Sequence, residues 1–200
     1  SLGFGRPTDS HFPGEVAGRL RHYDDWSMFE HATHAFGYGL SVTSLQLVQA
    51  YSVLGADGLL RPVSLLKRDA VPEGRRVLSE RTTRQVRAMM ETVVSADGTA
   101  KEAAIEGYRV AGKTGTAKKA AKGGYASKRY QAVFAGVAPA SRPRFAMVVM
   151  VDEPSGKHYY GGKVAAPVFA RVMQGALRLF NVAPDDPSQT LRLAGVEEHP

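Results

Sequence analysis

Gly107-Tyr-Arg-Val-Ala-Gly112-Lys113-Thr114-Gly115-Thr116-Ala-Lys118 decides the fold, because it reads in two incompatible ways. As a string of letters, Gly107 to Thr114 satisfies the phosphate-loop pattern, and Val148-Val-Met-Val-Asp152-Glu153 resembles the acidic strand that accompanies such loops. On that reading the chain is a nucleotide triphosphatase. The chemistry then requires a buried strand before the loop and a helix opening after it, whose amides hold the phosphates. Lys101–Glu106 looks helical instead, and Thr-Gly-Thr, a lysine run and Gly123-Gly124 after Lys113 are a poor start for a helix. Read as extended chain, Thr114 and Thr116 alternate with period two and put both hydroxyls on one side. Gly115 has no side chain, so another backbone can lie against the strand. Lys113 falls on the opposite face of an ideal pleat and must reach around an edge to work with the threonines.

The flanking residues favour the strand. Tyr108–Lys119, Tyr130–Ala138 and Arg144–Asp152 are three strand-like runs, the first two separated by Gly123-Gly124 and the last two by Pro139-Ala-Ser-Arg-Pro143. Links this short predict an antiparallel meander, since parallel neighbours need a crossover of a dozen or more residues. Upstream, Thr43 and Gln46 have capping-box spacing, and Leu45, Val48, Tyr51 and Leu54 form an apolar stripe that ends at Asp57-Gly58. Residues 59–69 read as extended. Ser79 is an N-cap candidate for a second helix with Val86, Met89, Met90 and Val93 inward, and a Gly98-Thr99 break precedes a helical turn through Ile105. Downstream, Ala165–Leu179 reads as a helix with Val168, Val172, Ala176 and Leu179 on one face. Residues 1–40 read as loops and turns, residues 1–181 as one domain part and residues 182–200 as a flexible tail. The expected class is α+β, an antiparallel sheet flanked by helices.

Composition narrows the function classes. Two hundred residues, 44% apolar and 22% charged, can bury one core and are not disordered or collagen-like. The longest apolar run, Phe145–Val151, is far short of the roughly 20 residues of a membrane span. No cysteine is present, which removes disulfides, thiolate metal sites and cysteine nucleophiles. The net charge of +7 is mostly scattered arginine. Its one dense patch, Lys118, Lys119, Lys122, Lys128 and Arg129, is interleaved only with Tyr125 and Tyr130, so a solvated hairpin is preferred to a nucleic-acid surface. His31 and His34 after Glu30 have helical metal-ligand spacing but no evident third ligand, so no metal site is assigned. Asp152 and Glu153 are acid–base candidates, with pairing to nearby lysine or arginine the better assignment.

Val110-Ala-Gly-Lys113-Thr-Gly-Thr-Ala117 resembles the third active-site motif of penicillin-binding transpeptidases and serine β-lactamases. Gly37-Tyr-Gly-Leu-Ser-Val-Thr43-Ser-Leu-Gln46, Ala50-Tyr51 and Gly58 resemble the helical segment ahead of that strand in class B penicillin-binding proteins. Val149-Met-Val-Asp152-Glu-Pro154, Tyr160-Gly-Gly162 and Val164-Ala-Ala-Pro-Val-Phe169 resemble the family's closing strand, loop and final helix. The likeness runs in order from about Gly3 to Phe180 and is greatest to the division-specific branch of that family. It implies a D,D-transpeptidase that cross-links peptidoglycan stem peptides ending in D-Ala-D-Ala and is acylated by β-lactams. It also implies a parent protein anchored at the periplasmic face of the bacterial inner membrane, division-protein partners and no cofactor. Lys113 and Thr116 would then be catalytic, with the Thr116 N–H forming half of an oxyanion hole. Thr114, Gly115, Thr116, Tyr38, Tyr159 and Tyr160 would bind substrate.

Two expected motifs are missing. The family pattern places Ser-x-x-Lys and Ser-x-Asn upstream of Lys-Thr-Gly, yet the only asparagine is Asn181. Ser64-Leu-Leu-Lys67 has the first spacing but follows Pro62 in an extended segment, where residues three apart point to opposite faces. It also comes after Gly37–Thr43, whereas the family's nucleophile precedes that segment. Ser64 is therefore rejected as nucleophile. The expectation is the C-terminal part of a transpeptidase domain, inactive alone, with the nucleophile half elsewhere in the protein. The alternatives are a non-catalytic binding or sensing module of the same family and, more distantly, the phosphate-loop enzyme.

Overall fold

A computed structural model describes residues 2–121 and 124–186. Its first α-helix, α1 (Met28–His34), lies inside the stretch expected to be loops. Ser27 and Glu30 form a complete capping box there, a signal masked because Met28 and Phe29 are exposed and leave no apolar stripe. Helix α2 (Ser44–Gly55) starts where Thr43 predicts, with both capping-box bonds to Gln46 made. Gln46 is also buried, and its amide donates to the Arg6 and Ala17 carbonyls, so the cap ties the N-terminal loops to the helix. Of the segment expected to be extended, only β1 (Leu59–Leu60) is strand, paired with β2 (Arg75–Arg76). Gly58, at φ 91°, permits the turn into β1, since a Cβ there would lie 2.1 Å from the Leu78 carbonyl oxygen.

Helix α3 (Glu80–Glu91) is capped by Ser79, as predicted, and Met90 and, just past the helix, Val93 pack half-buried against the core as expected, but the fully buried residues are Thr83 and Arg87, and Met89 is exposed. Arg87 is 7% exposed and donates to both the Leu54 carbonyl and Asp57. A charge meeting the end of α2 has thus won the inward position over a methionine. A 3-10 turn, Lys101–Ala103, leads into the sheet. Strands β3 (Ala111–Ala121), β4 (Gly124–Ala138) and β5 (Phe145–Asp152) form the predicted antiparallel meander in the order β3-β4-β5. The extended conformation of Lys113 and its place inside a strand overturn the phosphate-loop alternative, which needs a helix opening at that lysine.

The short α4 (Gly161–Val164) and α5 (Ala166–Leu179) close the fold. Phe169 of α5 meets Phe134 of β4 edge to face at 4.8 Å, both fully buried, with Met173 and Leu177 beside them. Val168, Val172 and Leu179, expected as the apolar face, point outward instead. Helical spacing allows both stripes, and the sheet selects the one that carries Phe169. Helix α2 packs on the opposite face of the sheet, against Val137 and Pro143. Residues 182–186, expected to be loose, are docked. Val182 is buried, its carbonyl accepts from the Tyr108 hydroxyl, and Asp185 accepts from the Arg109 and Ser141 amides. The rest of the expected tail, 187–200, and Lys122-Gly123 lie outside the described residues.

Candidate active site

Strand β3 is an outer strand, and pairing parity decides what its edge offers. The Glu153 amide donates to the Tyr130 carbonyl at 2.8 Å, so even-numbered residues of β4 bond to β5 and odd-numbered ones bond to β3. Val133 and Ala135 are paired with Gly115 and Lys113, which therefore use their backbone groups in the ladder. Thr114, Thr116 and Lys118 alternate with them and turn N–H and C=O outward. Two contacts agree with this parity: the Lys113 ammonium donates to the Thr114 carbonyl at 3.1 Å, and the Lys118 amide donates to the Tyr38 hydroxyl at 3.4 Å.

The side chains divide between two faces. Lys113 and Gly115 lie on the face that lines a cavity of about 570 Å³, closed on its other side by Tyr38, Trp26, Leu47 and Tyr51. Curling of the ammonium onto the Thr114 carbonyl answers how Lys113 reaches the edge despite its face. Thr114 and Thr116 face the other way. Their hydroxyls meet Thr99 Oγ1 at 3.3 Å and the Gly161 amide at 3.1 Å, respectively. On that same side the rings of Tyr159 and Tyr130 stack at 4.1 Å, and the Tyr159 hydroxyl donates to Tyr160 at 3.1 Å. The structure thus brings the Lys113 side chain and Tyr38 to one side of the edge strand and the Thr114 and Thr116 hydroxyls, Tyr159 and Tyr160 to the other, while both threonines border the cavity along the strand edge.

Two supports escape the sequence reading, and a third, the Gly161-Gly162 pair, is legible there only as a family motif without its role. Tyr130 reads in the sequence as a strand residue beside the basic patch, and its stack on Tyr159 depends on a long-range register. Thr99 reads in the sequence only as part of a helix break. Gly161 and Gly162 let α4 lie flat on β3, since a Cβ at Gly161 would fall 2.1 Å from the Val133 oxygen and 2.6 Å from the Gly115 oxygen. Lys163 of α4 pairs with Glu102, lowering that carboxyl's pKa and tying α4 to the 3-10 turn beside Thr99.

Other candidates go elsewhere. Ser64 is exposed, donates to the Leu66 carbonyl and borders a surface hollow with Pro62, Arg68 and Val71 rather than the main cavity. Asp152 and Glu153 pair with Lys119, and Glu153 also with Arg129, as preferred on sequence grounds; the two cations hold the Glu153 carboxyl down to about 2. His31 and His34 pack on Trp26, with His34 stacked at 4.2 Å, and among the described residues no three His, Cys, Asp or Glu side chains cluster as a metal site.

The penicillin-binding protein transpeptidase domain matches residues 1–174. The peptidoglycan D,D-transpeptidase FtsI of Escherichia coli K12 is 48% identical over 184 residues, 92% of this chain and 31% of that protein. The probable peptidoglycan D,D-transpeptidase PenA of Neisseria meningitidis serogroup A is 45% identical over 186 residues, 93% of this chain and 32% of that protein. The chain thus spans about a third of the length of these curated relatives. The apo transpeptidase domain of Burkholderia pseudomallei penicillin-binding protein 3 superposes with a TM-score of 0.87 at 46% identity, covering 93% of this chain and 57% of that one. Sequence, fold and the Lys-Thr-Gly edge strand agree, and the chain belongs to the penicillin-binding protein transpeptidase domain family.

Proposed function

We propose that the chain carries the Lys-Thr-Gly wall of a serine D,D-transpeptidase that cross-links peptidoglycan stem peptides during septal wall synthesis. The parent protein would be anchored at the periplasmic face of the bacterial inner membrane and work beside division proteins. The observation that carries the proposal is the outward Thr116 N–H on an open strand edge, one turn of the pleat from a lysine ammonium. A serine of a Ser-x-x-Lys motif outside these 200 residues attacks the penultimate D-alanine carbonyl, and the motif's lysine takes its proton. The Thr116 N–H faces the oxygen on which negative charge develops. The C–N bond breaks, the leaving D-alanine amine receives the proton, and an acyl-enzyme remains. An amine from a neighbouring stem then displaces the serine, forming the cross-link and returning the proton to the serine oxygen.

In this scheme the Thr114 and Thr116 hydroxyls and the Lys113 ammonium hold the terminal carboxylate. Gly115 allows the peptide to approach, and Tyr38, Tyr159 and Tyr160 wall the cleft. A β-lactam enters the same path and stays as the acyl group. Intact-mass spectrometry of the intact protein with benzylpenicillin tests the scheme. One adduct per polypeptide is expected, with Lys113→Ala slowing its formation by roughly 100-fold or more. Absence of any adduct on the wild-type protein sinks the scheme and leaves a non-catalytic binding module.

A further inference from the structure

We propose that Tyr38 sets how far an extended peptide can pair along β3 and so fixes the register in which a stem peptide is presented; this rests on the transpeptidase reading above. Outward-facing positions on a strand edge recur every second residue, about 7 Å apart. On this edge they are Thr114, Thr116 and Lys118, and their neighbours treat them differently. The Thr114 carbonyl accepts the Lys113 ammonium at 3.1 Å, and the Lys118 amide donates to the Tyr38 hydroxyl at 3.4 Å. Thr116, between them, turns both a donor and an acceptor toward the open edge. A peptide added as a neighbouring strand therefore makes its paired contact at Thr116 and meets the phenol at the next position.

Tyr38 is built to stay there. Its amide donates to the Thr33 carbonyl at 3.0 Å, so the C-terminal turn of α1 holds its backbone, and its ring lies 5.6 Å from Phe36. The regular register of β3 with β4 also shifts immediately beyond Lys118, between it and Ala120. A side-chain plug and a change in the strand thus fall at one residue. The ligand class that fits is an extended peptide whose backbone is read at one outward position. Residues farther from its reacting end leave the edge at Tyr38.

The test uses the intact protein, Tyr38→Phe, and two synthetic acyl donors ending in D-Ala-D-Ala. One donor is capped at the residue paired with Thr116, and the other is extended by two residues. Removal of the phenol oxygen opens the Lys118 amide to the longer donor alone. The ratio of kcat/KM for long over short donor is expected to rise roughly three- to tenfold, the worth of one backbone hydrogen bond. A merely structural role would move both donors together, so an unchanged or lower ratio overturns the proposal. Benzylpenicillin adducts on the same samples separate the two levels. No adduct on the wild type strikes the transpeptidase reading, whereas an adduct with an unchanged ratio strikes Tyr38 alone.

Discussion

At Gly161 one missing methyl group holds the site's outer wall against the strand. A Cβ there would lie 2.1 Å from one backbone oxygen and 2.6 Å from another, and backbone cannot swing aside as a flexible side chain can. The same residue's amide donates to Thr116, so a displaced α4 also leaves that hydroxyl without its donor. Gly161→Ala is expected to cost about 2 kcal/mol through overpacking and to slow acylation by benzylpenicillin. Gly175 is the control, because nothing lies within 4 Å of its hypothetical Cβ in the exposed middle of α5. Gly175→Ala is expected to stabilise by roughly 0.5–1 kcal/mol through helix propensity. Thermal unfolding of the two variants should therefore shift in opposite directions. A Gly161→Ala variant as stable as wild type would mean that α4 does not press on β3.

Elements are joined at the far end of the sheet by charge rather than by packing. Glu153, just past β5, pairs with Lys119 of β3 and Arg129 of β4, and Asp152 shares Lys119. The Glu153 carboxyl is lowered from 4.5 to about 2 in the folded state, first by the hydrogen bond from Arg129 and then by that from Lys119. A carboxyl with a depressed folded pKa binds protons more readily when unfolded. Its contribution is complete above about pH 4.5 and disappears as pH falls toward about 2. Glu153→Gln should then be less stable than wild type at pH 6 and converge with it near pH 2, followed by urea unfolding. Parallel stability curves across that range would remove the ion cluster from the account. The gain stays modest because all four groups are open to solvent screening. What could be read in advance at this scale follows from range. The caps at Thr43 and Ser79 and the Thr114–Thr116 alternation are local, and each was legible. The inward choice of Arg87 over Met89, and of Phe169 over Val168, depends on what an element meets across the fold. Periodicity permits either face. The aromatic stack of Tyr130 on Tyr159 was illegible for the same reason, with register bringing together residues 29 positions apart.

For the molecule as a whole, the most exposed liability is the edge opposite the candidate site. Among the described residues nothing pairs with the outer side of β5, although Phe145-Ala-Met-Val-Val-Met-Val151 carries no charge, proline or glycine. Such a sequence belongs inside a sheet with both neighbours present. An edge strand normally carries the charges or bulges that block pairing with another chain. The adjoining surface repeats the pattern, because Val168, Val172 and Leu179 of α5 and Phe180 after it are exposed, and Phe180 lies edge to face with Phe145 at 5.4 Å. A bare strand edge flanked by an apolar helix face offers backbone pairing and apolar burial together. The 200-residue chain purified alone is therefore expected to self-associate as concentration rises, despite a net charge of +7 that opposes contact. Light scattering after size exclusion should give a mass above 21.5 kDa that grows with loading. Met150→Lys on the edge and Val172→Lys on the helix are expected to lower that mass, the double variant most. A wild-type chain that stays monomeric at high concentration would show this edge to be protected by something other than its sequence.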